Sequence, residues 1–182
     1  CSHCEFLIIG GERETEVDYV QKMIKEAENF ENVHIMGERT RDAYVQALLS
    51  EIGAQAPLYA GYEVETVFFG GGTPSWLEGR QMDALLEKLA ECFAFRSKDR
   101  GLSDGAEVTV EANPGTVTLE KLRSYRRSGV NRLSIGLQSA REEELKALGR
   151  IHTWQDFLDS YEGARKAGFS NINVDLMSAL PG

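Results

Sequence analysis

The residues of this sequence that are best suited to bind a ligand are glycines and polar residues at the ends of apolar segments. They are Gly71, Gly72, Thr73, Glu111, Gln138 and Asp175. Glycines let backbone N–H and C=O groups approach a ligand closely, because they have no Cβ atom. Carboxylates and an amide supply hydrogen-bonding groups for a polar ligand. A single buried carboxylate would more often form a salt bridge or cap a helix, but the recurrence at successive segment ends favours ligand binding.

The run Gly70-Gly71-Gly72 does not by itself identify a ligand, because it also fits a tight turn. It lacks the Lys-Ser/Thr that completes a phosphate-binding P-loop and the spacing of a dinucleotide-binding fingerprint, so neither site is predicted. Arg150 could reach the same segment ends, although alone it fits a surface cation near a helix C-terminus. The hypothesis of a binding site therefore depends on the whole set of residues.

A second candidate site is the pair Cys1 and Cys4. Thiolates at this spacing occur in zinc sites, redox dithiols and iron–sulfur sites. Two thiolates do not complete a zinc tetrahedron, and a redox pair usually opens a helix, whereas residues 5–9 form an apolar, strand-like run. His3 stands between the two cysteines, where its ring could stack on a cofactor. Cys92, on an apolar helix face, is instead expected to be a core thiol.

The candidate residues are positioned by apolar strands that alternate with helices. The predicted strands are residues 6–9, 33–36, 64–69, 106–110, 132–135 and 172–176. The predicted helices are residues 17–30, 40–52, 81–93, 119–128, 139–148 and 153–168. Capping boxes at Ser139 with Glu142 and at Thr153 with Asp156 open the last two helices. This alternation implies βαβ crossovers and a parallel sheet, and thus an α/β fold that binds ligands at the carboxyl ends of its strands.

The composition is that of a globular protein with an acidic balance. The 182 residues are enough for one domain, and 29 Asp and Glu stand against 20 Lys and Arg. This balance argues against nucleic acid as a partner, because phosphate binding depends on clustered basic residues. No apolar run reaches the ~20 residues of a membrane-spanning helix, and neither a signal peptide nor a disulfide framework is indicated. We therefore expect a cytoplasmic protein without a membrane span.

The two ends of the chain look cut, since it lacks an initiator Met and stops at Leu180-Pro181-Gly182. Residues 14–37 contain a charged helix and few strongly apolar positions. We interpret them as an insertion in a single domain that spans residues 1–182.

Several motifs in order resemble one family. They are C-x-x-C-[DE]-F, FFGGGTPS, VEANPGT, LSIGLQS, LGRIH and NVDLM-x-ALPG. The series resembles the oxygen-independent coproporphyrinogen III oxidase-like branch of the radical S-adenosylmethionine (SAM) enzymes, and it covers residues 64–182 and the first six residues. The resemblance implies a partial (β/α) barrel of parallel strands, a radical SAM core truncated at both ends. It also implies a [4Fe-4S] cluster that binds SAM and cleaves it to a 5′-deoxyadenosyl radical.

The resemblance assigns roles to the candidate residues. Cys1 and Cys4 match the second and third cluster ligands of a C-x-x-x-C-x-x-C motif, whose first ligand would lie four residues upstream. His3 holds the place where the family has Tyr or Phe near the adenine. The positions that match the receiver of the SAM amino group are Gly71, Gly72 and Thr73. Those that match binders of the amino-acid or ribose moieties are Glu111, Gln138, Arg150 and Asp175. No catalytic residue is assigned.

Within the family, the resemblance favours the haem chaperone-like relatives. The EANPGT and LGRIH motifs look closer to that group, and Phe6 holds the position of an extra cysteine in the true coproporphyrinogen dehydrogenases. Porphyrin or haem is the implied substrate or cargo, haem is a further candidate ligand beside the cluster and SAM, and flavodoxin or ferredoxin is the implied electron donor. The alternatives are a true dehydrogenase that decarboxylates two propionates and a non-enzymatic haem or metal carrier. The acidic balance disfavours a radical SAM enzyme that acts on tRNA.

Overall fold

A computed structural model describes residues 41–95 and 105–180, together with the backbone of two short strands nearer the beginning of the chain. The chain divides into two compact units, Cys1–Ala47 and Leu48–Gly182. In the first unit, strands β1 (Phe6–Ile8) and β2 (Val33–Ile35) pair in parallel. The two strands predicted there are confirmed, each one residue shorter than expected. The predicted insertion lies mostly outside the described residues and stays a prediction, as does the single domain.

The remaining elements alternate between helices and strands. In chain order they are α1 (Arg41–Gln55), a 3-10 turn (Ala56–Tyr59), β3 (Glu63–Val64), β4 (Thr66–Phe69), a second 3-10 turn (Pro74–Trp76), α2 (Gly79–Cys92), β5 (Ala94–Phe95), β6 (Glu107–Ala112), α3 (Leu119–Ser128), β7 (Arg132–Gln138), α4 (Glu142–Ala147), α5 (Trp154–Lys166) and β8 (Asn171–Leu176). None of the helices in the described part of the chain is long and apolar enough to cross a membrane.

The second unit is built on a four-stranded parallel sheet in the order β4-β6-β7-β8. Helices connect each strand to the next, so the predicted α/β fold with a parallel sheet is confirmed. Neighbours in the sheet follow chain order without reversal, as in the wall of a (β/α) barrel, whereas a doubly wound sheet reverses its strand order. All four strands therefore present their carboxyl ends at one edge.

The two central strands have one apolar and one polar face, because side chains alternate along a strand. The apolar positions Val108 and Val110 of β6 and Leu133 of β7 are fully buried. The polar positions contain Ser134 and Thr109, which are buried as well. Helices cover the core: α2 packs against α3, and α3 against α5.

Helix α3 shows how the local sequence fixes an element. The Thr118 hydroxyl accepts a hydrogen bond from the Lys121 backbone N–H at 3.2 Å and caps the first turn. Gly129 has φ +112°, the left-handed conformation that ends helices, so the predicted helix 119–128 is confirmed. The buried Tyr125 hydroxyl donates to the Leu77 carbonyl. Burial raises the pKa of Tyr125, and the charge of Glu78 raises it further.

One of the two predicted capping boxes forms. In α5, the Asp156 backbone N–H donates to the Thr153 hydroxyl at 3.1 Å, and the Thr153 N–H donates back to the Asp156 carboxylate at 2.8 Å. The box predicted at Ser139 and Glu142 is wrong, since α4 begins only at Glu142. The Ser139 hydroxyl donates instead to the Glu144 carboxylate.

Several strand boundaries differ from the prediction: β6 is Glu107–Ala112 where 106–110 was expected, and β8 begins one residue earlier, at Asn171. The predicted strand 64–69 is interrupted at Glu65, because β3 pairs with β5 in a separate two-stranded sheet while β4 pairs with β6. The predicted strand 132–135 continues to Gln138. This extension places Gln138 at the last position of β7, at the edge where the strand ends meet.

Candidate functional site

A polar cavity of about 200 Å³ opens at the carboxyl ends of β4, β6, β7 and β8. Six residues that the sequence predicted for ligand binding line it. They are Gly72, Thr73, Glu111, Gln138, Arg150 and Asp175. Gly71 lies beside the cavity, where its N–H donates to the Glu111 carboxylate at 3.3 Å. The structure thus brings together every predicted site residue of the described part of the chain.

The loop after β4 exposes its backbone to the cavity. Gly71 has φ +78° and Gly72 has φ +58°, a conformation that side chains rarely adopt. A Cβ atom at either position would meet nothing within 4 Å, so backbone conformation, and not crowding, favours glycine there. Thr73 is anchored to the neighbouring strand end, because its hydroxyl accepts a hydrogen bond from the Asn113 amide at 3.3 Å.

The loops after β4 and β6 are joined by a short chain of hydrogen bonds. The Thr116 hydroxyl donates to the Asn113 carbonyl at 2.6 Å. The same hydroxyl lies 2.6 Å from the hydroxyl of Ser75, which is fully buried. Lys121 donates to the Ser75 carbonyl at 3.1 Å. These bonds hold the triple-glycine loop against β6, and Asn113 is a cavity residue that the sequence analysis did not assign.

Gln138 lines the cavity and has a left-handed backbone conformation, which is unusual for a residue other than glycine. Its φ is +68°, and the pairing of β7 with β8 shifts register between Ile135 and Gln138. A residue other than glycine in this region costs about 1–3 kcal/mol. Two contacts hold it: the Met177 N–H donates to the Gln138 carbonyl at 2.9 Å, and the buried His152 ring donates to the Leu137 carbonyl at 3.1 Å.

Asp175 is held by two polar neighbours. Its Oδ2 accepts a hydrogen bond from the Ser134 hydroxyl at 2.9 Å, and its Oδ1 accepts one from the Asn173 amide at 2.6 Å. The Asn173 amide also donates to the Ser134 hydroxyl at 3.0 Å. Ser134 lines the cavity and is buried. Like Asn113, Ser134 and its partner Asn173 were not predicted from the sequence.

Arg150 supplies the positive charge of the cavity. It stands in the loop between α4 and α5, two residues before His152, whose hydrogen bond ties that loop to the end of β7. Among the described residues, no carboxylate lies within 4.0 Å of its guanidinium group. A guanidinium facing a cavity without a carboxylate partner suits an anionic group of a ligand.

The cavity therefore combines two carboxylates, one guanidinium, two amides and hydroxyl groups around a stretch of open backbone. Such a set matches a polar ligand that carries both charges and has hydroxyl groups, because each ligand group finds a complementary partner. Substituted amino acids and nucleosides have these properties. This chemistry agrees with the groups of SAM, which is an amino acid joined to a nucleoside.

Cys1, His3 and Cys4 lie outside the described residues, so their proposed roles stay predictions. Within residues 41–95 and 105–180, no group of three or more His, Cys, Asp and Glu is arranged to hold a metal ion. Cys92, expected in the core, is only partly buried because it is the last residue of α2.

Comparison with known proteins defines the class to which this parallel α/β fold belongs. The family model of the radical SAM superfamily matches residues 1–182. The chain therefore belongs to the radical SAM superfamily. The haem chaperone HemW of Escherichia coli is 42% identical over 153 residues, which are 84% of this chain and 39% of the relative. HemW of Bacillus subtilis is 36% identical over 151 residues, 83% of this chain and 38% of the relative.

A solved structure shares the fold. Coproporphyrinogen III oxidase (HemN) from Escherichia coli, described as a radical SAM enzyme, superposes with a TM-score of 0.67 at 33% identity. The match covers 81% of this chain and 33% of that chain. The present chain spans about two fifths of the length of the haem chaperones that it matches. Both kinds of relative are the ones that the sequence motifs indicated.

Proposed function

We propose that this chain forms the SAM-binding part of a radical SAM protein that acts in porphyrin or haem metabolism. The observation that carries the proposal is the cavity in which Glu111, Gln138, Arg150 and Asp175 converge beside the triple-glycine loop. Each group comes from a different strand end or loop, and superfamily membership supplies the identity of the ligand.

Arg150 and Glu111 each bind a group of the ligand that has the opposite charge. Arg150, the basic side chain of the cavity, binds the carboxylate of the methionine moiety, for which a planar guanidinium is well suited. Glu111 lies against the Gly71 N–H and accepts hydrogen bonds from the ammonium group, together with the Thr73 hydroxyl. Gln138 offers a neutral amide that both donates and accepts.

The cluster would be held by residues at the start of the sequence. The family resemblance assigns Cys1 and Cys4 as two of its ligands and gives His3 the place of the residue near the adenine. When bound, the cluster supplies the electron for reductive cleavage of the sulfonium C–S bond, and a flavodoxin or ferredoxin delivers that electron. The chain's own cavity residues bind the amino-acid and ribose moieties and so fix the orientation of the sulfonium.

For the wider protein, we propose a haem chaperone-like role with haem as cargo. The support is the 42% identity to the haem chaperone of Escherichia coli and Phe6 at the position of the dehydrogenases' extra cysteine. The second candidate is a coproporphyrinogen dehydrogenase, which the structural similarity to HemN favours.

The experiment uses the full-length protein after anaerobic cluster reconstitution. SAM binding is measured by calorimetry, and haem binding is measured by absorbance. SAM cleavage is followed by the release of 5′-deoxyadenosine under reducing conditions. We expect cluster-dependent SAM binding, abolished by Cys4→Ala, and stoichiometric haem binding without decarboxylation of coproporphyrinogen. Decarboxylation would establish the dehydrogenase instead. A protein that forms no cluster and binds no SAM would refute the radical SAM role.

A further inference from the structure

Ser134, Asn173 and Asp175 form a closed hydrogen-bonded triangle on the polar face of the sheet. The register of β7 and β8 sets Ser134 opposite Asn173, and Asp175 follows two residues later on the same face. The three side-chain contacts are 2.9, 3.0 and 2.6 Å long. Ser134 is 6% exposed, so water competes little for its hydroxyl.

The direction of every hydrogen bond in this triangle is determined. The Asp175 carboxylate can only accept, so the Ser134 hydroxyl uses its one hydrogen on Oδ2. The Asn173 amide has two hydrogens, and they point to the Ser134 oxygen and to Asp175 Oδ1. A flipped Asn173 would set its carbonyl oxygen against the carboxylate, which is repulsive. The carboxylate therefore has one orientation.

The Asp175 carboxylate keeps free hydrogen-bond acceptor positions within the triangle. Each ionised carboxylate oxygen has about two acceptor positions, and Ser134 and Asn173 use one on each oxygen. One acceptor position remains on each of two adjacent oxygens. A pair of adjacent acceptors matches a pair of adjacent hydroxyl groups, which is the pattern of a ribose 2′,3′-diol.

We infer that Ser134 and Asn173 are positioning residues that orient Asp175 to accept both hydroxyl groups of the ligand's ribose. The inference rests on the proposed function, because it takes a ribose-bearing ligand as given. It distinguishes the two carboxylates of the cavity, because Glu111 accepts one hydrogen bond among the described residues, from the Gly71 N–H, and no hydrogen bond from a side chain. Asp175 already accepts hydrogen bonds from two neutral side chains, and its carboxylate is oriented to accept two more from a neutral diol.

The test measures affinity ratios in the full-length, cluster-loaded protein. Calorimetry gives Kd for SAM and for its 2′-deoxy and 3′-deoxy analogues, with wild type, Ser134→Ala, Asn173→Ala and Ser134→Thr. Wild type should prefer SAM about tenfold or more, as expected for a hydrogen bond to a charged group. Ser134→Ala and Asn173→Ala should lower that preference at least about threefold, while Ser134→Thr, which keeps the hydroxyl, should retain it.

Ser160→Ala is the matched control. Ser160 is also a buried serine with two hydrogen bonds, but it lies in α5 between the Gly115 N–H and the Asp156 carbonyl and does not line the cavity. It should leave the ratio unchanged. An equal loss of affinity for SAM and both deoxy analogues in Ser134→Ala and Asn173→Ala would overturn the inference. So would a wild type that binds SAM without discriminating the analogues. No SAM binding at all refutes the proposed function instead.

Discussion

Gly136→Ala should remove Gln138 from the cavity without unfolding the protein. Gly136 is a buried residue of β7 with an ordinary backbone conformation, so the backbone tolerates alanine. The added Cβ would lie 2.9 Å from Gln138 Nε2, while its other neighbours, Asn113 Oδ1 and the Ala112 carbonyl oxygen, are 3.5 and 4.0 Å away. The crowded atom is the end of a flexible side chain. The amide therefore moves aside, and the strand stays in place.

The magnitude follows from what the amide does for the ligand. Loss of a hydrogen bond to a charged ligand group costs about 1.5–3 kcal/mol, which raises Kd for SAM about 10- to 150-fold. The free energy of unfolding should change by no more than about 1 kcal/mol, because replacing glycine reduces the entropy of the unfolded chain and offsets the small rearrangement.

The assay pairs calorimetric SAM binding with urea unfolding. Gly163→Ala in α5 is the control, because its Cβ would lie 3.5 Å from Leu122 Cδ1 in ordinary contact. That variant should gain about 0.5–1 kcal/mol of stability and keep the wild-type Kd. Gln138→Ala should weaken binding as much as Gly136→Ala does, and the double variant no further. A wild-type Kd in Gly136→Ala, or a loss of more than about 2 kcal/mol of stability, would refute the reasoning.

Three further predictions concern other contacts. Gly79→Ala should lower the free energy of unfolding by about 1–3 kcal/mol in urea titrations, because its Cβ would lie 2.6 Å from Ser124 Cβ across the α2–α3 contact; a wild-type midpoint would contradict this. Hydrogen bonds from the Thr153 hydroxyl and backbone lower the pKa of Asp156. Since the folded-state pKa lies below the unfolded one, this carboxylate stabilises the fold above the unfolded-state pKa, and the stabilisation is lost as the pH falls through the folded-state pKa. Asp156→Asn should therefore lose less stability than wild type between about pH 7 and pH 3, compared by urea midpoints; parallel curves would count against it. Arg150→Lys should weaken SAM binding about tenfold or more, because a lysine cannot contact a carboxylate through two parallel hydrogen bonds; unchanged affinity would exclude Arg150 as the carboxylate partner.

Much of the sheet could be predicted from the sequence because its signals are local. Strands β6 and β7 are buried at most positions and have an apolar residue at every second position, which is a local pattern that predicts a strand. The cap at Thr153 depends only on residues three apart, and it was predicted correctly. The convergence of Glu111 and Asp175 followed from a rule of topology, since parallel strands end at one edge.

What the sequence could not indicate depends on contacts between distant residues. The break at Glu65 arises because β3 finds its partner in β5, about thirty residues later. The capping box at Ser139 fails because α4 begins at Glu142 with Arg141 as its N-cap, so that Ser139 lies too early to cap the helix. Ser134 and Asn173 are neighbours because of the register of β7 and β8, which the sequence does not specify.

The left-handed backbone of Gln138 was also beyond the sequence analysis. Residues other than glycine rarely adopt it, and no local signal in LSIGLQS distinguishes it from a regular strand end. The nearest signal is Gly136, whose missing Cβ leaves room for the Gln138 amide.

The serial order of the sheet has a consequence for the lifetime of the protein. Its binding groups come from four strands in succession, so a ligand in the cavity joins β4, β6, β7 and β8 at once. A ligand that binds only the assembled sheet stabilises it by about 2.7 kcal/mol at a concentration of 100 Kd. The protein with a ligand bound should therefore resist proteolysis better than the empty protein.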